Sequence, residues 1–457
     1  MGNHHKSQLD LLLNFCYATP AVHTLIGGGE LYVYHRTVLP NHLRLILIQM
    51  PHLHSALICT FIRVGPRFER PRERGISHFV EHTLFNGSQR YPTQRDLFEA
   101  VEDIGGEFNA VSSYEHAMFW LKTHSDYVGE GLRIFADFFN RPTFNGDSLE
   151  QERKIILEEL HGTTQQTLPV VMQNLLWPEG SEFFNVIGDI ENIEDFTRDD
   201  LVAHFRRWYV PENMVLCLAG NFDLAETERL SEELFGGLSG SRDPYEVALP
   251  APDPGPRWQS QPWGGPQTSF ALSHLGVSYF DERKTPLRIG SVLLGGGPRA
   301  VLFEALRERL GLTYNISADL MMTSCFGTLD VYCSVMHENL VQALNAVLEE
   351  ISRVLGKGIE GETLASIRER VRCWMEYKLD SPEEMASWFG LGDLLLGHER
   401  VETPEAHVER VRSTTADEVL DVMREVFCPD RRYLAVLGRE GQLVRKREIA
   451  RLLDMHA

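Results

Sequence analysis

Short apolar blocks of six to nine residues, broken by turn residues, dominate the chain. In the first half they are LRLILIQM (43–50), ALICTFIRV (56–64), AMFWLKT (117–123) and MVLCLAG (214–220). In the second they are SFALSHLGV (269–277), TLDVYCSV (328–335) and YLAVLG (433–438). Blocks of this length that alternate or run apolar predict half-buried and fully buried strands. Between them lie stretches with helical spacing, among them 127–139, 147–160 and 338–355. Strands and helices alternate irregularly, which predicts an α+β fold rather than a regular βαβ array.

The pattern breaks once, at GLSGSRDPYEVALPAPDPGPRWQSQPWGGPQ (237–267), which is rich in Pro, Gly and Ser and has no hydrophobic period. That composition predicts a linker. The two flanking pieces resemble each other. Leu97-Phe98-Glu99-Ala100 recurs as Leu302-Phe303-Glu304-Ala305, each time ahead of a Gly-containing turn and a strand-like run. Trp208-Tyr209-Val210-Pro211-Glu212-Asn213 precedes the last strand of the first piece, and Val426-Phe427-Cys428-Pro429-Asp430 that of the second. A duplicated α+β domain accounts for these matches. The expected division is an N-terminal extension (1–30), a first domain (31–237), a linker (238–267) and a second domain (268–457).

The sharpest chemical feature is His78-Phe79-Val80-Glu81-His82. On a helix, His78 and His82 lie one turn apart on one side, at chelating distance. Glu81 projects from the adjoining edge, where its carboxylate can reach a water on the same ion. Ser77 is the expected N-cap. A zinc site with catalytic geometry needs a third protein ligand and an open position. The 147–160 helix offers one. With Leu149, Ile156 and Leu160 as its buried stripe, Glu158 falls nearly opposite, whereas Glu152 and Glu159 lie about 60–80° from its centre. A carboxylate beside an apolar face is costly without a cation. The arithmetic favours Glu159 as the ligand, with Glu152 supporting a ligand from behind.

Acidic residues outnumber basic ones, 65 to 44, for a formal charge of −21, which argues against nucleic acid as a main partner. No apolar run approaches the ~20 residues of a membrane span. The start, MGNHHKSQLDLLLNFCYATPAV, has no signal-peptide or presequence pattern. Seven cysteines, with no CxxC pair, suit a reducing compartment. A cytoplasmic home of bacterial type is the expectation.

Taken together, the motif and its surroundings resemble the pitrilysin-type zinc metallopeptidases (inverzincins), which carry HxxEH in place of HExxH. The short-chain members related to mitochondrial processing peptidase are the most similar. The resemblance runs from about Leu31 to the end of the chain. In that family a glutamate ligand follows the second histidine after 76 residues, a count that reaches Glu159 from His82. The stretch Gly105 to Trp120 is similar to the family's segment containing an edge strand, which implies that Asn109 and Ala110 pair with substrate backbone. Leu302 to Ala318 is similar to its Arg/Tyr element, which implies that Arg307 and Tyr314 serve the substrate and the developing oxyanion. The second half has no HxxEH, so one Zn²⁺ per chain is implied. The resemblance implies two homologous α/β-roll halves, each a mainly antiparallel sheet flanked by helices. It further implies a peptidase of extended peptides acting within a chamber, with Glu81 as the base. One such chain is half of an enclosure, which implies a homodimer or a heterodimer with a related subunit. Maturation of a precursor peptide fits the same chemistry. The rival readings are a non-catalytic or a peptide-binding subunit that partners a related chain.

Overall fold

A computed structural model describes residues 22–439 and 446–455, apart from 27–28, 163–166, 179–183, 244, 247–248, 250 and 256. The first sheet has seven strands: β1 (Val22–Ile26), β2 (Gly29–Val38), β3 (Arg44–Gln49), β4 (Ser55–Ile62), β5 (Glu107–Ser112), β6 (Ala117–His124) and β7 (Met214–Gly220). The second has five: β8 (Arg257–Pro262), β9 (Thr268–Leu275), β10 (Thr313–Met322), β11 (Gly327–Val335) and β12 (Arg432–Gly438).

The strand orders are β1-β2-β3-β7-β4-β6-β5 and β10-β11-β9-β12-β8. Read from β5, the first sheet runs β5-β6-β4-β7-β3, the same topology as the second. In each sheet a single pair is parallel, β3 with β7 and β8 with β12, and the rest are antiparallel. The duplication expected from the sequence is therefore a duplication of topology, and the α+β class with mainly antiparallel sheets holds in both halves.

Among the described residues, eight helices follow in chain order through the first half: α1 (Ile76–Leu84), α2 (Gln94–Glu102), α3 (Val128–Asn140), α4 (Gly146–Gly162), α5 (Leu168–Leu176), α6 (Ile190–Asp195), α7 (Arg198–Trp208) and α8 (Leu224–Phe235). One face of the first sheet packs against these helices other than α5 through Leu45, Leu47, Ile58, Phe119, Leu216 and Leu218, which meet Phe79, Val80, Phe135, Phe138 and Trp208. The opposite face, with Ile46, Leu57, Phe61 and Cys217, is covered by Leu379, Met385, Phe389 and Leu394. Strands β4 and β7 are thus buried on both faces, which is why their sequences run apolar without alternation.

Two compact units result, and they are not contiguous in sequence. One comprises the described residues of Met1–Leu160, Asn185–Val247 and Lys378–Val401; the other those of His161–Phe184, Ala248–Tyr377 and Glu402–Ala457. This corrects the division at 31–237 and 268–457: α5 packs on β8, β9 and β12, and the 378–401 segment on the first sheet. Hydrophobic periodicity marks these segments as amphipathic but does not say which sheet they cover. The boundaries at 30 and at 238–267 also shift. Strand β1 lies within the supposed extension and pairs with β2, and β8 lies within the supposed linker and pairs with β12. As a polar edge strand ending at Pro262, β8 carries no alternating signal. Among the described residues no helix is long and apolar enough to cross a membrane. The six described cysteines are free, and Cys16 lies outside the described residues.

Candidate metal centre

Helix α1 is short, nine residues, so its place depends on how its ends are held. Gly75 is the N-cap, in a left-handed conformation at φ 93°. Its Cα lies against Gly188; a Cβ on Gly75 would sit 2.4 Å from the Ile187 carbonyl oxygen. Gly75 offers no side chain to cap with, and Glu69 takes that task. The Gly75 N–H donates to Glu69 Oε2 at 2.8 Å and the Ser77 N–H to Oε1 at 3.0 Å. The expected N-cap, Ser77, therefore lies inside the helix, because the tight Gly75–Gly188 approach starts the helix earlier. Its hydroxyl meets His204 Nε2 on α7 at 3.2 Å. Arg207 Nη2 lies 3.4 Å from His204 Nδ1 and can only donate, so Nδ1 accepts and Nε2–H points to Ser77. Burial raises the Glu69 carboxyl to about 7, against the opposing effect of its hydrogen bonds.

On the anchored helix, His78 and His82 stand with ring centroids 4.6 Å apart. Helix α4 brings Glu159 to them: its Oε2 lies 3.8 Å from His78 Nε2 and 3.7 Å from His82 Nε2. Arg153 fixes α4, donating from Nη2 to the Phe196 carbonyl at 2.7 Å and from Nη1 to that of Ile193. About two turns before Glu159, Glu152 is buried and its Oε2 lies 3.2 Å from His82 Nδ1. A carboxylate only accepts, so Nδ1 carries the proton and Nε2 turns its lone pair toward Glu159. Glu158 is exposed, as the helical arithmetic requires, but Glu159 is exposed too, its side chain by 41%, so burial does not separate the two acids.

The electrostatics sort the two imidazoles. Burial, with the neighbouring His82, pushes His78 down to about 3, so it is neutral with a lone pair available. Burial also pulls His82 down, but the hydrogen bond to Glu152 and the charges of Glu81, Glu152 and Glu159 outweigh it and raise its proton affinity. Glu81 is raised, chiefly by burial; Ser112 and His82 oppose this and Glu159 adds to it. Ser112 Oγ, at the end of β5, donates to Glu81 Oε2. Glu69 and Ser112 went unassigned in the sequence: Glu69 has no spacing signal relative to the motif, and Ser112 is one polar residue among several in the β5–β6 hairpin.

The donor set fits a zinc ion. Its three ligand atoms, two nitrogens and one oxygen, all lie within 4.8 Å of one another. A tetrahedral ion with bonds of about 2.0–2.2 Å holds its donors roughly 3.4 Å apart, close to the separations seen.

Asn109 and Ala110 lie on β5, the free edge of the first sheet. The Ala110 N–H donates to Asn109 Oδ1 at 2.8 Å. Arg307 and Tyr314 lie in the other unit, and they lie together. The guanidinium stands 4.7 Å from the Tyr314 ring and 4.7 Å from that of Phe303. Arg307 sits in a single turn of π-helix, Glu304–Arg309, and Tyr314 in a bulge of β10 between Thr313 and Ile316 that leaves it 79% exposed.

Two α+β halves of one topology, with HxxEH on the helix against the first sheet, define the inverted-motif class of metallopeptidases. Comparison with known sequences gives the family. Residues 44–178 match the profile of Insulinase (Peptidase family M16), and 195–371 that of the Peptidase M16 inactive domain. The chain belongs to this pitrilysin-type family. It is similar to a protein of Mycobacterium tuberculosis called an uncharacterized zinc protease, with 29% identity over 424 residues, covering 89% of this chain and 93% of that one. A Rickettsia bellii protein with the same description is 26% identical, over 85% of this chain and 94% of its own length. Among solved structures, a protease from Helicobacter pylori superposes with a TM-score of 0.78 at 18% identity, covering 89% of this chain and all of that one. The first half of the periplasmic protease PqqL from Escherichia coli does so with 0.76 at 19%, covering 93% and 96%. At these identities the structures attest the fold alone.

Proposed function

We propose that the chain is a zinc-dependent endopeptidase or oligopeptidase acting on extended peptides. The observation that carries this is the convergence of His78, His82 and Glu159 beside Glu81, with one acid supporting the ligand set from behind. In this reading His78 and His82 through Nε2, and Glu159 through a carboxylate oxygen, hold one Zn²⁺ per chain. Zinc supplies Lewis acidity toward a water and a peptide carbonyl. Glu81 takes the proton of the attacking water at a carboxylate oxygen and returns it to the leaving amine. Burial favours this by raising its basicity, and Ser112 fixes its orientation. Glu152 holds His82 in the ligating tautomer.

The open edge of β5 gives the substrate its place: a peptide adding there pairs with backbone groups at Asn109 and Ala110, so affinity is largely sequence-independent. By resemblance, Arg307 and Tyr314 also serve the substrate. Stacking between two rings keeps the guanidinium fork directed, and an exposed phenol can donate to an oxyanion. A dimer follows as part of the proposal, homomeric or with a related subunit. This chain covers 96% of its own length but only 51% of the whole PqqL chain, so one PqqL chain has about the length of two of these. Free described cysteines favour a cytoplasmic home. The test is mass spectrometry of a peptide mixture incubated with zinc-loaded and with chelator-stripped protein. New internal cleavages in the first sample alone are expected; intact peptides in both would refute the enzyme and leave a binding subunit.

A further inference from the structure

The proposed pairing at β5 leaves open what the paired peptide carries, and the free edge itself is selective. The side chains of β5 alternate. Phe108 and Ala110 pack on the helical side with the core, and Ser112 turns to Glu81. Glu107, Asn109 and Val111 point to the other face, and all three are exposed, Val111 by 50%. Glu107 stands directly opposite Lys122 on β6, the natural partner for its charge. Lys122 is committed elsewhere: its ammonium lies 2.7 Å from Glu383 Oε1. Glu107 makes no ion pair or side-chain hydrogen bond among the described residues. A carboxylate with no ion pair among the described residues and an exposed apolar side chain thus sit on one face of an edge strand, four residues apart.

Resting on the peptidase reading, we propose that Glu107 and Val111 select substrates with an apolar residue followed, four positions toward the C-terminus, by Lys or Arg. The reason is cross-strand pairing. Residues directly opposite each other share a face and interact, opposite charges and apolar pairs favourably. A strand added antiparallel, as β6 is to β5 and β4 is to β6, passes Val111 first, then Asn109, then Glu107. Ser112, which holds the base, lies at the Val111 end, and Glu107 is roughly 16 Å further along the strand. The bond cleaved therefore lies on the amino side of the cationic residue, and that residue acts through binding rather than through chemistry.

The experiment uses the zinc-loaded protein and internally quenched peptides that contain one Leu and differ only four residues after it, with Arg or Glu there. The wild type should cleave the Arg peptide with kcat/KM about fivefold above the Glu peptide, the difference lying in KM. Glu107→Gln should bring the ratio to about one and Glu107→Lys should invert it. Moving the Arg by one residue turns it to the opposite face and should abolish the preference. Equal rates in the wild type, a preference that survives both substitutions, or indifference to the one-residue shift would each overturn the proposal while leaving the peptidase reading intact. If the wild type cleaves no peptide, that reading fails and this one with it.

Discussion

Removing the support behind His82 should weaken zinc binding without removing a ligand. Glu152 is buried, its side chain only 8% exposed, and its carboxylate lies 3.2 Å from His82 Nδ1. It fixes the tautomer that frees Nε2, and its charge raises the basicity of the ring. Loss of such a partner costs about 10–100-fold in metal affinity, or roughly 1.4–2.7 kcal/mol. Glu152→Gln keeps an acceptor and loses the charge, so it belongs at the tenfold end. Glu152→Ala also loses the hydrogen bond and belongs near a hundredfold. The assay is competition for zinc against a chromophoric chelator at neutral pH, with Glu158→Ala as the control, since Glu158 is exposed on the same helix. At saturating zinc the Glu152→Gln protein should recover most of its kcat. A zinc affinity for Glu152→Ala within twofold of the wild type would refute the claim that this carboxylate sets the state of His82.

Two other predictions concern the anchoring of α1. Gly75→Ala should destabilise the protein by roughly 3 kcal/mol, because the added Cβ meets the Ile187 carbonyl and the φ is left-handed; denaturant unfolding unchanged within experimental error would contradict this. Glu69 titrates near 7 when folded against 4.5 in an ordinary glutamate, a raised carboxyl, so the folded state binds the proton more tightly than the unfolded one. Its contribution to stability is then present below pH ~4.5 and lost as pH rises to ~7, about 3 kcal/mol in all. The unfolding free energy of Glu69→Gln relative to the wild type should therefore rise by about that amount across this range, and a flat difference would refute it.

How much of this was legible in the sequence varied by residue. His78, Glu81 and His82 announce themselves because a helix converts a spacing of four into proximity. Glu159 was reachable because the apolar stripe of α4 sets the faces on which its acids lie. The apolar runs of β4 and β7 marked central strands because both of their faces are buried. What depends on approach between distant segments was not legible. Gly75 and Gly188 are ordinary glycines in the sequence and become a helix anchor only when their Cα atoms meet. Glu69 acts through two backbone N–H groups, which carry no side-chain signature. The exchange of α5 and of the 378–401 segment between halves left no trace either, since an amphipathic helix specifies that it packs and not on what. Strand β8 was hidden by its polarity.

The central claim is that Glu81 acts on a water at an intact zinc site. Glu81→Gln separates metal binding from chemistry, because Glu81 stands beside the proposed ligands His78, His82 and Glu159 and is not one of them. The decisive measurement is zinc content and peptide cleavage on the same purified Glu81→Gln sample, beside the wild type. The expected result is one zinc per chain in both proteins, with cleavage in the variant reduced by about 10²–10⁴-fold. Full zinc content with cleavage at the wild-type rate would contradict it.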